Sequence, residues 1–188
     1  DWYIKSCERV QYLFPKAHAV AYVLMAYRIA YCKVHYPKHF YASYFTVRAT
    51  DFDYTHVSKG LHYIKNFIKS VYQQGYKASN TDKDAATYLE LANEMIERGY
   101  EFEKIDLYKS HPTKFTITKK GLLPPLASLS GVGNSAALAI AAVRDPQNPF
   151  ISREDLRLRA GIGKAVVERM AEMGVLNDLP ESNQIDLF

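Results

Sequence analysis

A short glycine pattern occurs twice toward the end of the sequence, at a spacing of thirty residues. Gly131-Val132-Gly133 and Gly161-Ile162-Gly163 each stand between two segments of helical apolar spacing. Glycine allows backbone conformations that a β-carbon forbids, and the apolar residue between the glycines can anchor the turn in a core. The pattern therefore predicts two copies of a unit consisting of a helix, a tight glycine turn and a second helix.

Each predicted turn leads into a helix whose first backbone N–H groups have no partner within that helix. Such amides suit an anion, and because they belong to the main chain they would hold a phosphate without reading a base sequence. The residues predicted to bind DNA in this way are Gly131, Val132, Gly133, Asn134, Ser135, Gly161, Ile162, Gly163, Lys164 and Ala165. Arg157 and Arg159 would assist Lys164. The alternative is that both copies are ordinary glycine turns between core helices.

The two units resemble the helix-hairpin-helix family of DNA-binding motifs. Their pairing resembles the arrangement in which two hairpins hold both strands of a duplex across the minor groove. The resemblance implies duplex DNA as a partner. Residues 122–188 carry a net charge of −2, so we expect weak duplex affinity from this part in isolation.

Composition favours a folded protein. The 188 residues are 48% apolar and 23% charged, which excludes fibrous and disordered classes. Two cysteines are too few for a disulfide scaffold. The most apolar run, residues 17–31, is shorter than a membrane span and contains His18 and Arg28, so no membrane partner is expected. These features together predict a cytoplasmic location.

The apolar pattern predicts a mainly α fold. Helices are predicted over residues 1–12, 14–36, 39–47, 55–74 and 82–98, the last capped by Thr81 or Asp82. Two short strands between Tyr100 and Lys119, with a turn at His111-Pro112, predict a β-hairpin. Glycine and proline punctuation at Gly121 and Pro124-Pro125 predicts a module boundary after residue 121. We divide the chain into four parts: residues 1–54, a helical connector 55–121, the tandem hairpins 122–179, and a flexible tail 180–188.

Positive charge and tyrosine concentrate at the front of the chain. Residues 1–50 carry a net charge of +5, and ten of the fifteen tyrosines precede residue 64. This mixture suits a surface that meets phosphates and bases. A tyrosine-rich core with a solvated basic rim would give the same composition. The helix over residues 14–36 is apolar on nearly all sides, which predicts burial inside a larger body.

Two further segments carry a family resemblance. Residues 14–37 resemble the fingers helix of bacterial C-family replicative polymerases. The last five residues are similar to the Gln-Leu-(Ser/Asp)-Leu-Phe motif by which bacterial replication proteins dock on the sliding clamp, or β subunit: Gln184, Ile185, Asp186, Leu187 and Phe188. With residues 40–46 and the hairpins, the whole chain resembles the C-terminal end of the PolC-type DNA polymerase III alpha subunit. For the last five residues, the alternative to clamp docking is a tail that folds back on its own domain.

This resemblance implies a role in DNA replication, as part of a nucleotidyltransferase that copies primer-template DNA. Residues 1–54 would be the end of the fingers, where Lys16, His18, Tyr22 and Arg28 would line the pocket for the incoming deoxynucleoside triphosphate. His18 and Tyr22 could equally be core residues. The carboxylates that hold Mg²⁺ would lie upstream, in the rest of the polymerase polypeptide. We therefore expect no catalytic residue in this fragment and no activity from it alone.

Other interpretations make different predictions. Asp51 and Asp53 form an Asp-x-Asp pair, which we interpret as helix-capping or solvent residues. A zinc site at Cys32, His35 and His39 is disfavoured because Pro37 interrupts the helix that would bring them together. The competing functions are a non-enzymatic helix-hairpin-helix adaptor and a purely structural helical domain.

Overall fold

The computed structural model describes residues 1–9 and 15–182, which are mainly helical as the sequence predicts. Two compact units divide the chain between Phe40 and Tyr41. In the described ranges we find no helix that combines the length and the apolar character needed to cross a membrane.

The first unit contains α1 (Trp2–Arg9), α2 (Lys16–His35) and the start of α3 (Pro37–Val47). Pro15 precedes α2 with a φ of −61°, and α2 ends before Pro37, because the residue before a proline avoids the helical conformation. No residue of α2 is buried, although apolar side chains lie around the whole helix. Tyr27, for example, is 72% exposed. This helix is therefore left uncovered by the described part of the chain.

The second unit begins with three helices after α3, namely α4 (Tyr54–Ser58), α5 (Leu61–Gln74) and α6 (Asn80–Glu97). The single helix predicted over residues 55–74 is interrupted at Gly60, which has a φ of +85°. The Thr55 N–H donates to Asp53 Oδ1 at 2.8 Å, so Asp53 caps α4 as predicted. Helix α6 is capped by Ser79, whose Oγ accepts from the Asp82 N–H at 3.0 Å, rather than by Thr81 or Asp82.

A small sheet follows, made of β1 (Glu101–Phe102), β2 (Thr116–Ile117) and β3 (Gly121–Leu123). Strand β3 lies in the middle and pairs parallel with β1 and antiparallel with β2. A short hairpin is present, but it joins β2 to β3, whereas the sequence predicted pairing across His111. Strand β3 begins at Gly121, the last residue of the predicted connector, and the predicted module boundary stays a prediction.

Side-chain turns explain this difference in pairing. Between β1 and β2, Asp106 Oδ1 accepts from the N–H groups of Tyr108 and Lys109, each at 2.9 Å. His111 Nδ1 accepts from the N–H groups of Thr113 and Lys114, each at 3.0 Å. These bonds use backbone donors that a hairpin ladder would need.

An aromatic cluster forms the core beside the sheet. Phe45 is buried, with ring centroids 5.4 Å from Phe52 and from Phe102 and 5.5 Å from Phe115. Tyr88 lies 5.0 Å from Phe52, and burial raises its pKa to about 12. The second unit thus has an aromatic core, while most tyrosines of the first unit are exposed.

The His111 turn predicts a pH dependence of stability. Burial, followed by the charges of Lys114 and Arg144, lowers the pKa of His111 below 6.5. The unfolded chain therefore binds more protons between the two pKa values. Stability is fully present above about pH 6.5 and declines as the pH falls through the folded pKa. We expect acid titration of the unfolding free energy to show this decline.

His111→Asn is the matched variant, because its side-chain oxygen can accept the same two N–H bonds without titrating. The variant should lose less stability on acidification than the wild type. Burial also lowers the pKa of His56, so part of the dependence should persist. Identical pH profiles for the two proteins would contradict this assignment.

Candidate nucleic-acid interface

The two glycine turns adopt the same structure. Helix α7 (Asn134–Val143) follows the first, and the second lies between α8 (Arg153–Ala160) and α9 (Lys164–Glu172). Only a single 3-10 turn, Leu126–Ser128, precedes the first turn, where the sequence predicted a full helix. Pro124 and Pro125 explain this, because proline supplies no N–H for an earlier helical turn.

The match extends residue by residue over positions 131–140 and 161–170, which share one backbone assignment and one alternation of burial. Val132 is 3% exposed and Ile162 is 8% exposed, so each anchors its turn in the core as predicted. The flanking glycines are exposed in both copies. The thirty-residue repeat in the sequence is therefore a structural repeat.

The two glycines of each turn differ in what they require. Gly131 and Gly161 have φ values of +85° and +62°, which other residues rarely adopt. Gly133 and Gly163 are extended, with φ near −70°. A β-carbon at either would meet nothing within 4 Å. It would instead lie in open space.

Helices α7 and α9 begin without a side-chain cap. Their N-cap residues are Gly133 and Gly163, which have no side chain to accept an amide bond. By contrast, Ser152 caps α8 by accepting from the Asp155 N–H at 3.0 Å. Four exposed residues open the two uncapped helices: Asn134, Ser135, Lys164 and Ala165. The amides of these residues suit an anionic ligand, since the partial positive charge of a helix lies at this end.

The basic residues near the second turn have different environments. Lys164 is exposed and makes only a 3.5 Å surface pair with Glu168, an interaction of little energy. Arg157 is partly buried and lines a groove with Lys164 along α8 and α9. The groove is also lined by Glu154, Glu168 and Glu181, and assistance from Lys164 and Arg157 in phosphate binding stays a prediction.

Arg159 has a partly buried side chain whose guanidinium makes several contacts within the protein. It donates to the carbonyl oxygens of Val143 at 3.0 Å and Asn148 at 3.2 Å. It also pairs with Asp155 at 3.4 Å and lies 4.5 Å above the Phe150 ring. Arg159 therefore joins the end of α7 to α8 across the connecting loop, and its assistance in phosphate binding stays a prediction.

Sequence reasoning missed two other features of this surface. Arg169 Nε in α9 donates to the Ser130 carbonyl at 3.2 Å, which links the second helix pair to the first turn. A cavity of about 310 Å³ lies beside Asn134 and is also lined by Thr50, Thr113 and Lys114. These positions are distant in sequence, and no local pattern marks them as neighbours.

The front-helix candidates lie along one exposed helix. Lys16 is the first residue of α2, and the rings of His18 and Tyr22 meet edge to face at 4.4 Å. Tyr22 is 66% exposed, so it is not a core residue of the described chain. Arg28 lies about 9 Å beyond Tyr22 along the axis of α2, with its Nη1 4.0 Å from Met25 Sδ. The structure thus brings His18 and Tyr22 together and places Arg28 apart from them.

The start of the predicted tail is held against α8. The Arg153 N–H donates to the Pro180 carbonyl at 2.8 Å, and the Glu154 N–H donates to the Glu181 carbonyl at 3.2 Å. The predicted clamp-docking residues, Gln184, Ile185, Asp186, Leu187 and Phe188, lie outside the described residues. Within residues 1–9 and 15–182, no three His, Cys, Asp or Glu side chains are grouped so that they could hold a metal ion.

Comparison with known proteins shows what this chain is similar to. The helix-hairpin-helix motif family matches residues 99–185. The whole chain is 54% identical over 188 residues to a DNA polymerase III PolC-type of Caldanaerobacter subterraneus subsp. tengcongensis. It is 52% identical over 188 residues to the protein of that name from Halalkalibacterium halodurans, and 48% identical over 187 residues to the one from Listeria monocytogenes.

The chain is a homologue of PolC-type DNA polymerase III. It spans 13% of the length of these relatives. The PolC-type resemblance predicted from the sequence is therefore confirmed, as is the helix-hairpin-helix motif. In this PolC-type homologue the motif match begins at Gly99, so it includes the small sheet as well as both glycine turns. Arg144 supports that extent, since its Nη1 donates to the carbonyls of Leu107 at 2.8 Å and Ser110 at 2.7 Å.

Proposed function

We propose that this chain is the part of a replicative DNA-directed DNA polymerase that holds duplex DNA by its backbone phosphates. The observation that carries the proposal is the pair of uncapped helix starts, at Asn134 and Lys164, with the same exposure in both copies. The polymerase names of the relatives support it. Because main-chain amides are the principal donors, binding should be independent of base sequence.

The full-length enzyme would catalyse nucleotidyl transfer, with Mg²⁺ held by carboxylates outside this chain. The described residues do not fit that role. Asp51 and Asp53 form an Asp-x-Asp pair, but Asp53 Oδ1 accepts the Thr55 N–H as a helix cap. The work of this chain would therefore be to position the duplex while chemistry occurs elsewhere.

Salt titration of duplex binding tests this proposal. The affinity of the protein for a short labelled duplex should fall linearly on a log–log plot of salt concentration, because bound phosphates release counterions. Two duplexes of unrelated sequence should give equal affinities and equal slopes. Binding without salt dependence, or a marked preference for one sequence, would contradict the proposal. The absence of duplex binding would favour a structural domain.

Two finer roles belong to the same proposal. The residues from Gln184 to Phe188 would dock on the sliding clamp, since a pair of large apolar side chains suits an apolar pocket. Lys16, His18, Tyr22 and Arg28 would contact the incoming nucleotide. The basic start of α2 and the exposed Tyr22 ring support this, because one suits a triphosphate and the other a base or sugar.

Both roles are testable in the full-length polymerase. Deleting Leu187 and Phe188 should abolish capture by the clamp in a pull-down while leaving duplex affinity unchanged. Tyr22→Ala should raise the nucleotide KM far more than it weakens primer-template binding. Undiminished clamp capture, or a loss confined to primer-template affinity, would remove the corresponding role from the proposal.

A further inference from the structure

The two hairpins are unequal in charge at equivalent positions. The second copy has Lys164 as the first residue of its helix, whereas the first copy has the uncharged Asn134. Two carboxylates, Asp51 and Asp53, line a cavity that also includes Gly131 and Gly133 of the first turn. A phosphate at the first turn would therefore meet repulsion without a cation of that hairpin to offset it.

A cation from outside the repeat lines the neighbouring cavity, beside Asn134. Lys114 is exposed, and it is the one basic side chain among the described residues that line the 310 Å³ cavity beside Asn134. The same cavity is also lined by Thr50 and Thr113. Hydroxyl groups and an ammonium group together are the usual donors to phosphate oxygens.

The backbone of Lys114 is fixed relative to the first hairpin. The N–H groups of Leu126 and Ala127, which lead into the first turn, donate to the carbonyls of His111 at 3.0 Å and Pro112 at 2.9 Å. On the other side, the Phe115 N–H donates to Thr46 Oγ1 at 3.1 Å. Lys114 is therefore held between two anchored neighbours and cannot drift from the start of α7 without breaking these bonds.

We propose that Lys114 is the cation of the first hairpin and contacts a DNA backbone phosphate adjacent to the one bound by the α7 amides. This inference rests on the proposed function. It assigns to the loop between β1 and β2 a direct role in holding the duplex. The small sheet would then belong to the DNA-binding surface, and the loop would supply the charge that the first repeat lacks.

The test compares Lys114→Gln with Lys120→Gln in the intact protein, using a short labelled duplex. Lys120 is an exposed lysine in the β2–β3 turn and does not line the cavity. Lys114→Gln should weaken binding several-fold and make the log–log salt slope shallower by about 0.9. Lys120→Gln should change neither. Lys114→Arg should retain binding, and Asp51→Asn should strengthen it.

Lys164→Gln separates the failure of this inference from the failure of the proposed function. If Lys164→Gln weakens duplex binding while Lys114→Gln behaves like Lys120→Gln, only the role of Lys114 is overturned. If duplex affinity does not depend on salt and neither variant changes it, the proposed function itself fails. Equal thermal midpoints for the lysine variants would show that the comparison reports on binding rather than folding.

Discussion

Gly161→Val is expected to reduce both the stability of the protein and its affinity for duplex DNA. The φ of Gly161 is +62°, and a residue with a β-carbon pays about 1–2 kcal/mol in that region, a β-branched residue more. The turn must therefore distort, and the amides of Lys164 and Ala165 move away from a common target. We expect a loss of about ten-fold in affinity, equal for unrelated duplex sequences, measured by anisotropy alongside chemical denaturation.

Gly163→Val is the matched control in the same turn. Gly163 is extended, with a φ of −71° and a ψ of 154°, a conformation that valine adopts readily. A β-carbon there meets nothing within 4 Å. Valine is a poor N-cap residue, so we expect a stability loss of up to about 1 kcal/mol, smaller than that of Gly161→Val, whereas the added side chain should obstruct an approaching phosphate and weaken binding. Normal duplex affinity in Gly163→Val would refute the amide–phosphate arrangement.

Arg159→Ala is expected to destabilise the hairpin module by about 2–4 kcal/mol. The guanidinium donates to two carbonyls at the ends of the loop and pairs with Asp155. A hydrogen bond from a charged group contributes about 1.5–3 kcal/mol to stability. The contact with the Phe150 ring contributes further stabilisation. Denaturant unfolding should therefore show a lower midpoint with little change in slope.

Two comparisons isolate this role of Arg159. Arg159→Lys should recover little stability, because a single ammonium cannot bridge Val143 and Asn148 as the planar guanidinium does. Arg157→Ala removes the same charge from the same helix and should cost much less stability. If Arg157→Ala and Arg159→Ala unfolded alike, the loss would reflect helix charge rather than the bonds of Arg159.

Local chemistry made much of the fold predictable. Proline and glycine fixed the ends of α2, α5 and α6 to within a few residues, since their backbone restrictions act regardless of tertiary context. The paired Gly-x-Gly pattern predicted both turns and their buried Val132 and Ile162 for the same reason. The lack of a side-chain cap at the starts of α7 and α9 was predictable, because glycine has no side chain that could accept an amide bond.

The features that could not be predicted depend on contacts between distant residues. Strand β1 pairs with β3 rather than β2 because side chains such as His111 close local turns between them. Arg159 reads as an exposed helical cation, yet its partners are carbonyls whose positions only the folded loop determines. Lys114 and Asn134 are twenty positions apart, so their shared cavity emerges only where the end of α3, the loop between β1 and β2 and the first hairpin meet.

The carboxylates beside the turns have a consequence for motion. Asp51 lies near the first turn and Glu168 pairs with Lys164 near the second. On the proposed function, each turn holds a phosphate by neutral amides. The nearby negative charge then lowers the affinity of each turn for that phosphate. A copying enzyme must shift its product by one base pair after each addition, and successive phosphates offer the same hold at every step. Weak and equivalent binding sites would let the double helix advance over a low energy barrier at each step. Such binding would retain the DNA without stopping its movement.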